Sequence, residues 1–398
     1  MIKTTDFTAL ENIDLSKEIS LVAPTDTPFY SLLLSKNLVD DTTSKITTWR
    51  EKSLDNTADI SVVEGSAISN IVASTRAEKN NVCEIFMKGV SVSGTAGASD
   101  ITGIPSLLAS EINDRLIEMK VNIEKALING TKTDGSEAPN VRKMGGILEF
   151  VLPAQTVKGQ TLTETYFKAT VKKLWDAGLP SANYYCLLNA DLKETLDGLY
   201  DEKYSYIAQE SLFGLVTRII QTNYGNVILI LNRHMPIDKL VIFAPEYLKI
   251  SNLRKPFYEI LGKTGDFIQG EVIAEITLKC LNQKAIAVFE IDTVVPTYLS
   301  ATLDTGKKIV TLALSENVVN AGTLAALKAK VTIATDGTNF SALGASDTVA
   351  VTNGKLVVTF NSVLSTATNK IKVGADALAD SAGNKNAEFT TGAIDATA

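Results

Sequence analysis

The sequence predicts an α+β protein in two parts, a mixed front region followed by an all-β tail. Three observations carry this reading. Apolar residues recur at helical spacing from Ile104 to Asn129, an alternating stretch near Glu271–Cys280 reads as a long strand, and the composition changes near Asp292–Pro296. A chain of 398 residues exceeds one typical core, so two or three domains are expected.

The helix is the strongest element. Ile104, Leu108, Ile112, Leu116, Met119, Ile123 and Leu127 fall at steps of three and four and line one face. Pro105 lies in its first turn, and Asn129-Gly130 is its stop signal. Its predicted length is roughly 39 Å.

Before it, residues 45–98 have extended character at both ends, with strands expected at Val82–Met87 and Val90–Ser93. After it, the pattern predicts a helix over Thr163–Ala177, a strand over Tyr184–Leu188, a helix over Ala190–Leu199 and a strand over Asn226–Leu231. Val272, Ala274, Ile276, Leu278 and Cys280 then alternate with more polar residues, as in a half-buried strand, and Ala285–Ile291 follows as another strand.

All seven arginines and both tryptophans precede the boundary at Asp292–Pro296, and from Thr297 onward Ala and Thr supply about a third of the residues. Short β-prone runs at Lys308–Leu314, Val331–Thr335, Thr348–Val351, Lys355–Phe360 and Lys370–Val373 are separated by turns such as Asp336-Gly337-Thr338-Asn339 and Thr352-Asn353-Gly354. This spacing predicts a β-sandwich. Asp380 and Asn384 are potential calcium ligands, but a solvated turn accounts for them.

The net charge is −7 and no dense Lys/Arg run occurs, which argues against specific nucleic-acid binding. Cys83, Cys186 and Cys280 are odd in number and widely spaced, so neither a disulfide framework nor a zinc site is expected, and folding in a reducing cytosol follows. The N-terminus has no apolar signal region, and the longest apolar runs are too short to span a bilayer.

Catalytic patterns fail one by one. His234 is the only histidine, which leaves little room for a nucleophile–histidine system, and it reads as a surface residue at a strand end. Gly262-Lys263-Thr264 imitates the end of a phosphate loop, but the position that needs the first glycine holds Phe257. Gly94-Thr95-Ala96-Gly97 and Gly145-Gly146 lack a dinucleotide context and read as bends, and acidic residues such as Asp197, Asp201 and Glu202 suit a solvated helix face. No catalytic residue, cofactor or metal is expected.

Four segments, in order, resemble tailed-phage major capsid proteins of the Hong-Kong-97-type fold. Ala23-Pro24-Thr25-Asp26-Thr27-Pro28-Phe29 resembles the N-terminal arm of one group of phage head proteins. Trp49–Val63 with Glu64-Gly65, and Asn81 through Val90-Ser91-Val92-Ser93-Gly94-Thr95, resemble that group's extended loop. Ala126-Leu127-Ile128-Asn129-Gly130 and Met144-Gly145-Gly146-Ile147-Leu148 resemble the end of the spine helix and the turn leading out of it. In the tail, Leu314-Ser315-Glu316-Asn317-Val318 and Asp380-Ser381-Ala382-Gly383-Asn384 resemble segments of bacterial and phage immunoglobulin-like repeats.

The resemblance covers roughly residues 20 to 291 and implies an arm (1–44), an extended loop (45–98), a spine helix with peripheral domain (99–150), an axial domain (151–270) and returning peripheral strands (271–295). An immunoglobulin-like domain (297–398) would follow. No long charged helix precedes the arm, so a cleaved N-terminal scaffolding domain is not expected. The implied function is self-assembly into a phage head shell around double-stranded DNA, in the host cytoplasm and then in the virion. Portal, scaffold or decoration proteins are the expected partners, with host-surface glycan as a potential ligand of residues 297–398. Arm and loop would bury Phe29, Leu32, Leu33, Val62, Val63, Ile85 and Met87 against neighbouring subunits. Two other classes compete: a cell-surface adhesion protein, against which the missing signal and anchor count, and another virion part such as a tail-tube or decoration protein.

Overall fold

The computed structural model describes residues 26–54, 59–67, 73–99, 106–179, 183–200, 207–212, 215–263 and 265–396. The elements of the front region are α1 (Pro28–Ser35), β1 (Val39–Asp41), β2 (Ile46–Ser53), β3 (Thr75–Val82), β4 (Glu84–Ser93), α2 (Gly94–Ala98) and α3 (Leu107–Asn129). Next come β5 (Thr156–Gly159), α4 (Glu164–Asp176), β6 (Asn183–Leu188), α5 (Ala190–Tyr200), β7 (Ile207–Leu212), β8 (Leu215–Thr222), β9 (Gly225–Leu231), β10 (Lys239–Phe243), β11 (Leu248–Ile260), β12 (Phe267–Cys280) and β13 (Ile286–Ile291). The tail forms β14 (Tyr298–Leu303), β15 (Ile309–Leu314), β16 (Val319–Asn320), α6 (Leu324–Lys330), β17 (Val331–Ala334), β18 (Ser341–Ala342), β19 (Thr348–Thr352), β20 (Lys355–Thr359), β21 (Lys370–Val373), β22 (Leu378–Ala379) and β23 (Phe389–Thr390).

Two compact units result. The first comprises Met1–Gln155 and Thr170–Val288, the second Thr156–Ala169 and Phe289–Ala398.

In the first unit, α3 starts where the Ser106 side chain accepts from the Ala109 N–H and stops at Gly130. Its apolar stripe buries Met119, Ile123, Leu127 and Ile128, each contributing about 1.5–3 kcal/mol relative to exposure. Gly130 and Gly146 are required by close approach. A Cβ on Gly130 would meet the Ala126 and Met144 carbonyl oxygens at 2.4 and 2.5 Å, and one on Gly146 would meet the Ala126 and Ile128 oxygens at 2.7 Å. The stop of the helix and the 144–146 turn therefore lock together. Ile104 and Pro105 lie outside the described residues.

A four-stranded sheet in the order β1-β11-β12-β4 accompanies α3. β1 runs parallel to β11, and β12 is antiparallel to both of its neighbours. The expected half-buried alternation in β12 is corrected here, because Val272–Leu278 are buried without interruption. A central strand with both faces covered has no solvent side for its polar residues. Glu275 is consequently buried, and its carboxylate is paired with Arg142 at 2.7 Å and Arg254 at 3.0 Å. Strands β10-β6-β9-β8-β7 form a run in which β6 and β9 are parallel and β10 is antiparallel to β6.

In the second unit, one sheet runs β14-β15-β20-β19 and another β18-β17-β21-β23, with β16 and β22 as a separate pair. Val310, Leu312, Leu356 and Val358 from the first share a single core with Val331, Ile333, Ile371 and Val373 from the second, so the tail is a sandwich with one helix, α6, capped by Thr323. Asn353 and Gly354 both have positive φ, 51° and 72°, as a tight β19–β20 hairpin requires.

Candidate assembly surfaces

The extended loop begins as the β2–β3 hairpin, paired without a break from Ile46↔Val82 to Ser53↔Thr75. Its root is anchored in the first unit. The Trp49 ring packs edge-on against Phe150 at 5.8 Å, Thr47 is buried, and Asn81 is fully enclosed. The Asn81 amide donates to the Gly145 and Leu278 carbonyls and accepts from the Gly145 and Val82 N–H groups. Beyond the paired rungs the apolar side chains lose their partners. Val62 is 74% exposed and Val63 80%, with Ile60 and Leu54 similarly open.

The arm behaves differently from its sequence expectation. Residues 28–35 form a helix started by Pro28, and Phe29, Leu32 and Leu33 are buried in their own chain's core, Phe29 edge-on to Phe243 at 5.4 Å. The expectation that these three await a neighbouring subunit is corrected. An extended segment cannot bury its own apolar residues, but a helix gathers them on one face that its own unit covers. The remaining expected contacts on the sheet, Ile85 and Met87, are 45% and 61% exposed on β4.

Glu124 holds the arm helix in place. Its carboxylate, buried near the C-terminal end of α3, accepts from the Phe29 N–H at 2.9 Å, the Tyr30 N–H at 2.7 Å and the Asn232 amide at 2.6 Å. Thr27 provides no side-chain cap, so Glu124 satisfies the orphan donors of α1 in its stead. Burial, opposed by these three bonds, pushes its pKa up to about 7. Sequence reasoning missed Glu124, Asn81 and Glu275, because nothing in a single sequence marks a carboxylate or amide as buried.

Between β4 and the C-terminal half of α3 lies a groove of about 590 Å³, lined by Glu84–Lys88, Met119, Asn122, Lys125, Asn129 and Lys143 among others. Lys88 is paired with Glu118 at 3.0 Å, and Glu84 accepts the Met144 N–H.

The other residues weighed for chemistry are placed as follows. His234 sits half-buried in the turn after β9, and burial, with Lys125 and Arg233 nearby, pushes its pKa down. Gly94–Gly97 form the short helix α2, capped by Ser93, rather than a bend. Thr264 of the phosphate-loop imitation lies outside the described residues. In the turn at Asp380–Asn384 the two expected solvated residues, Asp380 and Asn384, are buried, which corrects that expectation, while Ser381 and Gly383 are exposed. One Asp380 carboxylate oxygen accepts from the Ala382 and Asn384 N–H groups, the other from the Asn384 amide, which also reaches the Asp292 carbonyl. Asp292, Glu316 and Asp380 stand within 4.8 Å of one another, and Lys158 supplies a cation to Asp292 at 2.8 Å.

The geometry is that of a chain with anchored roots and exposed apolar ends. A family model described as the SU10 major capsid protein matches residues 2–293, well over half of the chain. The chain belongs to the SU10 major capsid protein family. Among solved structures, the capsid asymmetric unit of cyanophage A-1(L) superposes with a TM-score of 0.52 at 13% identity, covering 73% of this chain and 99% of that one. A chain of Mycobacterium phage Bobi gives 0.52 at 13% identity, covering 74% and 100%. These likenesses establish the Hong-Kong-97-type capsid fold. No curated protein matches the sequence.

Within this SU10-family chain, α3 is the spine helix and the β2–β3 hairpin is the root of the extended loop. The family match ends at residue 293, so most of the second unit, including every strand from β14 onward, is additional to it. No helix among the described residues is long and apolar enough to cross a membrane.

Proposed function

We propose that copies of this chain assemble into the shell of a tailed-phage head enclosing double-stranded DNA, through many repeated contacts and without a catalytic step. Membership of the SU10 major capsid protein family carries the reading. The exposed Val62 and Val63 on a loop whose root is rigidly held supply the physical rationale, since apolar side chains on such a projection are stabilised by a neighbouring subunit. Ile85 and Met87 on β4 are the second contact set. The seven-residue contact set of the sequence analysis is thereby reduced to these four. A portal protein is the partner we expect of such a shell, with scaffold or decoration proteins as further candidates.

The tail reads as an immunoglobulin-like domain on the outer surface. Two four-stranded sheets around one core support the first half of that statement. Its charge balance, 8 Lys against 8 acidic residues from 297 to 398, supports the second, because a neutral surface has no attraction for packaged DNA. Weak glycan contacts there would be multiplied by the copy number of a shell.

Electron microscopy of the purified recombinant chain tests assembly, with closed shells or capsomer rings expected. Persistent monomers under all assembly conditions would overturn it. Antibodies against residues 297–398 should label intact, genome-filled particles densely, and complete protection would refute external placement.

A further inference from the structure

The two sheets of the tail differ in what they turn outward. Val310, Leu312, Val349, Leu356 and Val358 point into the shared core, so the residues between them face away from it. On that outer face the strands are in register. Thr302, Thr311, Val357 and Ala350 form one row across β14-β15-β20-β19, and Ile309, Thr359 and Thr348 lie in the next. The four strands contain a single charged residue, Lys355, beside the β19–β20 turn. The other sheet instead carries Lys370 and Lys372 outward on β21, where Lys372 pairs with Glu388 at 2.7 Å.

These properties narrow the occupant of the first face. It is almost free of charge in a tail with 8 Lys and 8 acidic residues, so it selects neither DNA nor a strongly charged protein. Tyr298, the one aromatic residue in these strands, packs against the core, which leaves no ring for a sugar to stack on. The outward Thr, Val and Ile side chains are β-branched and stiff, and lose little freedom when covered. Such a face matches another flat, uncharged sheet, and the same face of a second copy is one. Lys355 stands at a corner, where a two-fold through the middle of the contact keeps its two copies apart.

The area sets the condition. Strands of five or six residues, about 4.8 Å apart with about 3.3 Å per residue, make a face of about 300 Å². Two such faces bury about 600 Å², roughly half of the least that holds a stable complex together. Free tails therefore stay apart, whereas tails tethered to adjoining subunits meet at high effective concentration.

We propose that the β14-β15-β20-β19 face of the tail packs on the same face of a second copy's tail, sheet on sheet, once both copies are held in one shell. The inference rests on the assembly reading above and adds a contact outside the family-matched residues. Each such pair ties two subunits together independently of the loop and β4 contacts.

The test is a cross-link in the full chain. Cys83, Cys186 and Cys280 are buried, so Thr311→Cys places a reactive thiol on the face against little background. A bis-maleimide reaching about 10 Å, the spacing of packed sheets, should convert most of this variant to covalent dimers in assembled shells. Free subunits at equal concentration should give about a tenth of that yield, as should Thr332→Cys shells, whose thiol lies on the outward side of β17. Adding Val357→Lys to Thr311→Cys should lower the dimer yield about fivefold, by bringing like charges face to face, with shells still forming. Shells in which Thr311→Cys stays monomeric, cross-links no better than Thr332→Cys, or is indifferent to Val357→Lys overturn the contact and leave the assembly reading standing. Equal yields in free subunits overturn its dependence on tethering. Absence of shells overturns the assembly reading, and this contact with it.

Discussion

Asn81 and Gly145 bond each other twice: the side-chain amide of Asn81 donates to the Gly145 carbonyl at 2.9 Å, and the Gly145 N–H returns a bond of 2.9 Å to the Asn81 carbonyl oxygen. The end of β3 is thereby fastened to the turn leading out of α3. One buried amide joins the β2–β3 hairpin to the turn that follows α3.

Asn81→Ala should therefore destabilise the first unit by about 3 kcal/mol, since two backbone carbonyls and two N–H groups lose a buried partner together. Urea unfolding followed by Trp49 fluorescence measures it. Asn81→Asp should cost more, because a carboxylate would face the Gly145 and Leu278 carbonyl oxygens. A change below 1 kcal/mol in both variants, on the scale of ordinary surface substitutions, would remove Asn81 from this role.

The Glu124 carboxyl has a folded pKa of about 7 against an ordinary value of 4.5, raised chiefly by burial. The folded state then holds the proton more tightly than the unfolded state. This contribution to stability is full below about pH 4.5 and is lost as pH rises through about 7, by up to about 3 kcal/mol. Glu124→Gln should flatten that slope. The check is the difference in unfolding free energy between the two proteins across this window, which cancels the titration of other groups. A difference that does not change with pH would contradict the assignment.

Glu275 is a buried carboxylate whose two partners are more open, Arg142 partly exposed and Arg254 exposed. Glu275→Met alone leaves two partly solvated cations without their partner and should destabilise by about 1–3 kcal/mol, whereas Glu275→Met combined with Arg142→Met and Arg254→Met should recover most of it. Thermal unfolding of the single and triple variants distinguishes the outcomes. If the triple variant is no better than the single, the triad stabilises more than apolar packing can replace.

Residues 59–67 should exchange amide hydrogens rapidly in free subunits and slowly in assembled shells, because Val62 and Val63 are exposed. Equal protection in both states would show that the loop is covered before assembly.

Much of this architecture was legible in the sequence. The α3 stripe and its Asn129-Gly130 stop, the pairing-competent runs in the tail and the Asn353-Gly354 turn are local signals, written in spacings of three to four or two residues and in turn chemistry. α6 was missed although Thr323 and the run Leu324-Ala325-Ala326-Leu327 signal a helix start, because seven residues are too short to stand out among β-prone neighbours. The arm helix was missed for a related reason: Pro28 followed by apolar residues reads equally as an extended segment.

The sequence by itself determined the type of the longer elements, carried by short-range pattern, and the family, carried by the resemblance of four short segments, whereas the structure groups Thr156–Ala169 with Phe289–Ala398 instead of dividing the chain at Asp292–Pro296. Only the tertiary structure decided which apolar residues are spare. Phe29, Leu32 and Leu33 are covered by their own core, while Val62, Val63, Ile85 and Met87 are not. It also decided where the polar fasteners lie. Glu124 meets Phe29 and Tyr30 across more than ninety positions of chain, and Asn81 meets Leu278 across nearly two hundred. Burial and hydrogen bonding at such separations depend on which surfaces the folded chain brings together, and local spacing holds no record of that.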